Sequence, residues 1–287
     1  MQPILSAGDK VSIISCSDGI KLEEKQYVEK IVDSLKAMGL QVKISKCIYR
    51  NKLQFAGSGK ERAFELMTFF KDDEIKAIFD ISGGDAANQV LSHLDFDMIK
   101  KHPKPYFGMS DLTVILNSLY SSIGLKAYHY TAYNLARENS ENQNKLFKAS
   151  FINGQNDIFE FKYNWLRGNK IEGTVIGGNI RCFLKLAGTK FFPSPKGKVL
   201  LLEGLNGNVS TISSLIEQMY IMGYFKELSG IILGVFTEIQ REGNFEVLKD
   251  IILERTEEWN IPIVKTEDIG HGSNSKCIII GDKIKLS

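Results

Sequence analysis

The fold is decided by residues 11–44, VSIISCSDGIKLEEKQYVEKIVDSLKAMGLQVKI. Val11–Ser15 is a short run rich in β-branched residues, as a strand buried on both faces requires. Through Leu22–Met38 the apolar positions Val28, Ile31, Val32 and Leu35 recur at spacings of three and four. That spacing draws one stripe down a helix. Gly39 follows, suited to the left-handed residue that ends a helix, and Gln41–Ile44 is the next strand. The same rhythm continues outward. Lys60–Phe70 is a helix and Ala77–Ile81 a strand, and Ala86–His93 and Phe96–Lys101 are short helical stretches. Tyr106–Gly108 is a strand and Leu112–Ser122 a helix. Strands that are apolar throughout, alternating with helices, predict an α/β fold with a parallel sheet covered on both faces.

The rhythm falters between Ala136 and Gly154, where Arg137–Lys145 reads RENSENQNK. That polar stretch is the expected junction between a domain of residues 1–140 and one of residues 155–287. The second half reads as a smaller, mixed and shorter-stranded α/β domain. Strands are expected at Asp157–Phe161, Gly173–Ile176, Lys198–Leu202, Gly230–Leu233, Ile261–Val264, Cys277–Ile280 and Lys283–Leu286. Helices are expected at Ile180–Leu186, Ser210–Met222 and around Phe245–Trp259.

With 287 residues, 43% hydrophobic and 24% charged, the chain has ample material for an apolar core. Its 36 basic and 34 acidic side chains leave a formal charge of +2, too small for a nucleic-acid footprint. It is also too small for strong membrane attraction, and no apolar run reaches the ~18 residues that cross a bilayer. A small-molecule substrate is the expected partner. Cys16, Cys47, Cys182 and Cys277 form no C-x-x-C pair and sit in or beside apolar runs, as buried free thiols do. Met1–Lys10 has neither a basic region nor an apolar core of the signal-peptide kind. Together these features point to the cytoplasm. No H-E-x-x-H and no Cys/His cluster is present, so neither a metal nor a cofactor is expected.

In parallel sheets chemistry collects just beyond the carboxyl ends of the strands. Four such ends stand out: Ser82-Gly83-Gly84-Asp85, Gly108-Met109-Ser110-Asp111, Gly177-Gly178-Asn179 and Glu203. A serine on a sharp strand-to-helix turn projects its hydroxyl out of the sheet, beside amides that can bind an oxyanion. Ser110 is so placed, yet Leu112 breaks the G-x-S-x-G pattern, and local sequence favours an N-cap serine. His271, between Gly270 and Gly272, is either a turn histidine or an imidazole placed in a cleft. Glu203, ending the apolar run Val199–Leu202, is either a solvated strand end or the carboxylate that orients such a histidine. His93 and His102 look like helix-end residues and His129 like a packed strand residue. For a substrate that carries a free carboxylate, Arg181 and the amides after Asn179 are the candidates to hold it, because Gly-Gly-Asn before a helix makes an anion-friendly start.

Taken together the chain resembles the LD-carboxypeptidase family of serine peptidases, which includes muramoyl-tetrapeptide carboxypeptidases and microcin-immunity peptidases. The resemblance runs nearly end to end. It is carried by Gly8-Asp9-Lys10-Val11, Gly83-Gly84, Leu94-Asp95-Phe96-Asp97, Phe107-Gly108-Met109-Ser110-Asp111-Leu112-Thr113, Gly177-Gly178-Asn179, Leu201-Leu202-Glu203 and Gly270-His271-Gly272. It implies a Rossmann-like N-terminal domain, a smaller C-terminal α/β domain, an active site between them and a homodimer. It further implies Ser110 as nucleophile, His271 as general base and Glu203 as its orienting carboxylate. The oxyanion hole would be the amide of Asp111 with one from Gly83-Gly84-Asp85, and Gly83 would also touch substrate. The implied reaction is release of terminal D-alanine from murein tetrapeptide through an acyl-enzyme. The alternatives are hydrolysis of an aminoacyl- or peptidyl-nucleotide, with Trp165 or a tyrosine stacked on the base, and a non-catalytic ligand-binding homologue. Where cell-wall members read R-G-G-Y-G, this chain reads Ser82-Gly83-Gly84-Asp85-Ala86. Asn88 in that frame resembles the microcin-immunity branch.

Overall fold

The computed structural model describes residues 2–51 and 54–287. The opening segment forms β1 (Lys10–Ile14), a 3-10 turn at Leu22–Glu24, α1 (Lys25–Ala37) and β2 (Gln41–Ile44). Val28, Ile31, Val32 and Leu35 are buried, and Gly39 just past the helix has φ +89°. Next come α2 (Gly59–Lys71), β3 (Ile75–Asp80), a 3-10 helix at Ala87–His93 and α3 (Phe96–Lys101). Then follow β4 (Tyr106–Gly108), α4 (Thr113–Ile123) and β5 (Ala127–His129). These five strands pair in parallel in the order 2-1-3-4-5. The chain changes direction across the sheet between β1 and β3, which opens a crevice at their carboxyl ends.

The asparagine-rich stretch is not a linker. Ser140–Phe147 is α5, continued by a π turn at Lys148–Ile152, and Gln143, Phe147, Ser150 and Phe151 are buried. Phe151 meets Phe107, Tyr128 and Tyr130 edge-on and so belongs to the first core. The polar residues there mark the solvent face of a helix rather than a break. The strand expected at Asp157–Phe161 is also absent. Ile158 gives its amide to the Ser150 hydroxyl, which turns the chain. The strand is instead β6 (Asn164–Arg167).

The second lobe comprises β6, β7 (Ile171–Asn179), α6 (Ile180–Leu184), β8 (Lys198–Gly204), α7 (Val209–Ile221) and β9 (Gly230–Phe236). It continues through α8 (Thr237–Arg241), α9 (Phe245–Arg255) and β10 (Ile263–Lys265) to β11 (Ile278–Ile280) and β12 (Lys283–Leu286). Its sheet runs 12-7-8-9-10-6, with β7 to β10 parallel and the edges β12 and β6 antiparallel. The sheet is mixed, as expected, but not short-stranded: β7 has nine residues, against five in β1. The expected division at 140–155 also leaves out one strand. β11, near the end of the chain, pairs antiparallel with β5 and closes the edge of the first sheet.

Helix α4 locks the lobes together. Every residue from Thr113 to Leu119 is buried, so the helix is covered on all sides rather than along one stripe. Burying its Val114, Ile115, Leu116 and Leu119 contributes roughly 1.5–3 kcal/mol each. The Asn117 side chain donates to the Gly177 carbonyl and accepts from the Gly177 amide, at 2.8 and 2.9 Å, which stitches α4 to β7.

Candidate active site

Ser110 stands on the turn from β4 to α4 with φ +63°. A non-glycine residue held in that region costs about 1–3 kcal/mol, and such strain gathers where geometry serves a task. Two neighbours enforce the turn. A Cβ on Gly108 would lie 2.9 Å from Leu112 atoms, so the glycine lets Leu112 close over the strand end. Leu112, fully buried, therefore takes the position that a second glycine holds in G-x-S-x-G. The N-cap of this turn is Met109 in extended conformation, with no side-chain cap bond, so Ser110 is not the N-cap serine its local sequence suggests. Asp111 next to it is wholly buried. Its carboxylate accepts from the Ser17 hydroxyl at 2.6 Å, the Ala87 amide at 2.7 Å and the Lys185 ammonium at 2.6 Å.

Across the crevice, His271 Nδ1 donates to Glu203 Oε2 at 2.6 Å. Glu203 ends the apolar run of β8 and is completely buried rather than solvated. Burial pushes its carboxyl up, but the His271 charge and hydrogen bond, with His129 and Asn179 beside it, leave it below the usual carboxylate range. A carboxylate held ionised on Nδ1 fixes the tautomer in which Nε2 is the proton acceptor. That Nε2 is buried with no partner among the described residues, and Ser110 and His271 line one cavity of about 250 Å³. The second oxygen of Glu203 lies 3.9 Å from His129 Nε2. His129, at the end of β5, is fully buried, and burial holds its imidazole below the ordinary value.

The floor of the cavity is the turn after β3. Asp18 accepts from the amides of Asp85 and Ala86 at 3.0 and 3.2 Å. A Cβ on Gly84, whose φ is +131°, would fall 2.1 Å from the Asp18 carboxyl carbon, so this position requires glycine. Arg62, fully buried in α2, donates to the carbonyls of Cys16, Ser17, Gly57 and Ala86 and thereby clamps the loops after β1 and β3. Asp80 at the end of β3 accepts from the Cys16 and Ser82 amides, the Ser82 hydroxyl and Tyr106.

The structure thus places Ser110, His271, Gly83 and Gly84 on one cavity, with Glu203 bonded to His271 behind it and the buried Asp111 next to Ser110 in the chain, and separates the other candidates. The Asp85 amide is engaged by Asp18 and so is not free to bind an oxyanion. Arg181 does not line the cavity; its guanidinium pairs with the Asp85 carboxylate at 2.5 Å. Asn179 gives its amide to the Thr113 hydroxyl, and its side chain caps α6. It stands opposite Glu203 in the β7–β8 ladder, and its side chain supports the carboxylate. Gly177-Gly178 serves close packing: a Cβ on Gly178 would meet Thr113 at 2.7 Å and His129 at 3.2 Å. Trp165 packs edge-on against Tyr163 and is absent from the cavity wall. Arg50, Arg137 and Tyr133 line the cavity without any motif to announce them. Cys16, Cys47, Cys182 and Cys277 are free and buried, and burial pushes the Cys47 thiol to about 11. Among the described residues no group of three or more His, Cys, Asp or Glu could hold a metal ion, and no helix is long and apolar enough to cross a membrane.

Family models for the LD-carboxypeptidase N-terminal and C-terminal domains match residues 11–130 and 172–286. The chain belongs to the LD-carboxypeptidase family. It is 27% identical over 296 residues to a Bacillus subtilis (strain 168) protein named "Probable murein peptide carboxypeptidase", covering 99% of this chain and 90% of that one. Its fold matches the structure of MccF in complex with glutamyl sulfamoyl guanosine, with TM-score 0.85, 21% identity, and 98% and 93% of the two chains covered. It also matches a muramoyltetrapeptide carboxypeptidase from Oxalobacter formigenes, with TM-score 0.77, 20% identity, and 97% and 95% covered. This LD-carboxypeptidase family member is therefore two α/β lobes with its crevice between them.

Proposed function

We propose that this chain is a serine carboxypeptidase that cleaves the amide bond before a C-terminal residue, with murein tetrapeptide as its substrate class and D-alanine as the released product. The observation that carries the reading is the 2.6 Å His271–Glu203 pair, whose unpartnered Nε2 shares a cavity with the strained Ser110. Ser110 Oγ attacks the scissile carbonyl carbon as His271 Nε2 takes the hydroxyl proton. The oxyanion is bound by the amides of Asp111 and Gly84. The C–N bond then breaks as His271 returns its proton to the leaving amine, and water with the same imidazole hydrolyses the acyl-serine. Catalytic hydrogen bonds in ligand-free sites commonly close only around substrate, so the serine–histidine bond forms on binding.

A second reading, hydrolysis of an aminoacyl- or peptidyl-nucleotide, is favoured by one feature. The Tyr27–Tyr133 ring pair, with centroids 5.5 Å apart, lines a cavity of about 670 Å³ adjoining the Ser110 cavity. A base could stack there. Incubation with murein tetrapeptide and, separately, with an aminoacyl sulfamoyl-adenosine tests both. D-alanine released from the first by the native protein and not by Ser110→Ala is the expected outcome. Turnover of the nucleotide alone would replace the murein reading, and turnover of neither would leave a ligand-binding homologue.

A further inference from the structure

The Ser110 cavity and the larger one beside it share Glu24, Tyr133, Arg137 and His271, so Arg137 stands at their seam. Its guanidinium lies over the Tyr133 ring, 5.0 Å from the centroid, and donates one hydrogen bond, 3.3 Å, to the His271 carbonyl. The other arginines nearby are committed elsewhere. Arg62 is spent on backbone carbonyls and Gln89, and Arg181 on Asp85. Arg50 donates to the Gly19 carbonyl and lies 3.9 Å from Asp18. Arg137 is half-buried, and among the described residues no carboxylate comes within ion-pair distance of it, Glu24 on the same wall included. A partly desolvated guanidinium pinned at one nitrogen keeps its remaining donors for a planar anion, and a carboxylate fits that fork.

Its attachment says which carboxylate. His271 is the group that returns a proton to the leaving amine, so a cation bound to the backbone of His271 sits on the leaving-group side. In a peptide cleaved at its last bond, the leaving residue carries its carboxylate one carbon away from that amine. We propose that Arg137 binds the α-carboxylate of the leaving residue and so restricts this cleft to the last bond of a peptide. The proposal rests on the serine carboxypeptidase reading. It gives Arg137 the carboxylate-anchoring role for which the sequence offered Arg181.

The test compares one peptide made with a D-alanine terminus as free acid and as carboxamide. The native protein should prefer the acid by about 100-fold or more in kcat/KM, the scale expected when one partner of a hydrogen-bonded charge pair is lost. In Arg137→Gln that preference should fall below about 10-fold, and Arg137→Lys, which keeps the charge but loses the fork, should fall between. If Arg137 only braces the His271 loop, Arg137→Gln slows both substrates by one factor and the acid preference stays at its native value. That result would overturn the proposal. Calorimetric binding to Ser110→Ala, with and without Arg137→Gln, repeats the comparison without turnover. Acid-over-amide binding that disappears with Arg137→Gln supports the anchor even if the native protein hydrolyses neither peptide, an outcome that would count against the triad alone. Equal binding of acid and amide to Ser110→Ala overturns the anchor.

Discussion

Ser110 carries two properties that substitution can separate, a hydroxyl and a left-handed backbone. Under the proposed mechanism Ser110→Ala should lower kcat by about 10⁴ or more, as loss of a triad nucleophile does, measured as D-alanine release. Ser110→Gly should be equally inactive yet melt at a higher temperature than Ser110→Ala. Alanine keeps the cost of φ +63°, whereas glycine does not. Glu203→Gln replaces the carboxylate on His271 Nδ1 with a group that supports the wrong tautomer, and kcat should fall by about 10⁴. The folded-state pKa of Glu203 is depressed below its ordinary 4.5. Its contribution to stability is therefore full above that value and is lost as pH falls through the lower folded value. The difference in unfolding free energy between native protein and Glu203→Gln should accordingly be constant at neutral pH and shrink in acid. A difference that grows in acid would contradict the assignment. At this scale the sequence carried the three side chains by family resemblance, while local patterning favoured the bland alternatives. The reason is that burial at Glu203 comes from the second sheet, and φ at Ser110 from the way Gly108 lets Leu112 close over the strand end, a packing that residue types alone do not record.

Elements hold these side chains through a few polar clamps. Lys185, just after α6, reaches Asp111 in the first lobe at 2.6 Å, and that pairing raises the ammonium above its ordinary value. Lys185→Met would leave the buried Asp111 with the Ser17 hydroxyl and the Ala87 amide alone. The expected cost is about 2–3 kcal/mol, below the range for a fully buried pair because Lys185 is partly exposed, read from urea unfolding midpoints. The loop carrying His271 is gripped by the stretch around α5. Asn139 donates to the Ser273 hydroxyl at 2.6 Å and Gln143 to the Ser275 carbonyl at 3.2 Å. Asn139→Ala should therefore lower kcat about ten-fold while shifting the melting temperature little, since a small misplacement of a catalytic group is costly. Element identities were legible where one periodicity dominated: β2, α3, β4 and β12 lie where the apolar pattern puts them. Ala136–Gly154 was not, because a helix with a wide solvent face and a polar linker share the same composition.

Across the whole molecule the two lobes behave as one packed body. One apolar cluster contains Leu66 and Tyr106 of the first sheet's surroundings, α4, and Ile171, Val199 and Ile232 of the second sheet. The last strands divide their allegiance, with β11 closing the first sheet and β12 the second. Scanning calorimetry should therefore show a single transition with calorimetric and van't Hoff enthalpies equal. Two resolved transitions would mean that the lobes fold independently. The amino-acid sequence by itself determined the α/β class, the parallel core of the first sheet and the types of side chain at the strand ends, since periodicity and strand-end glycines are local signals. Only the tertiary structure decided that the chain's end returns to the first sheet, that Asp18 occupies the Asp85 amide, and that Arg137 rather than Arg181 faces the crevice. Those outcomes depend on which groups from distant segments compete for the same partner once the lobes close, and no spacing along a chain records that competition.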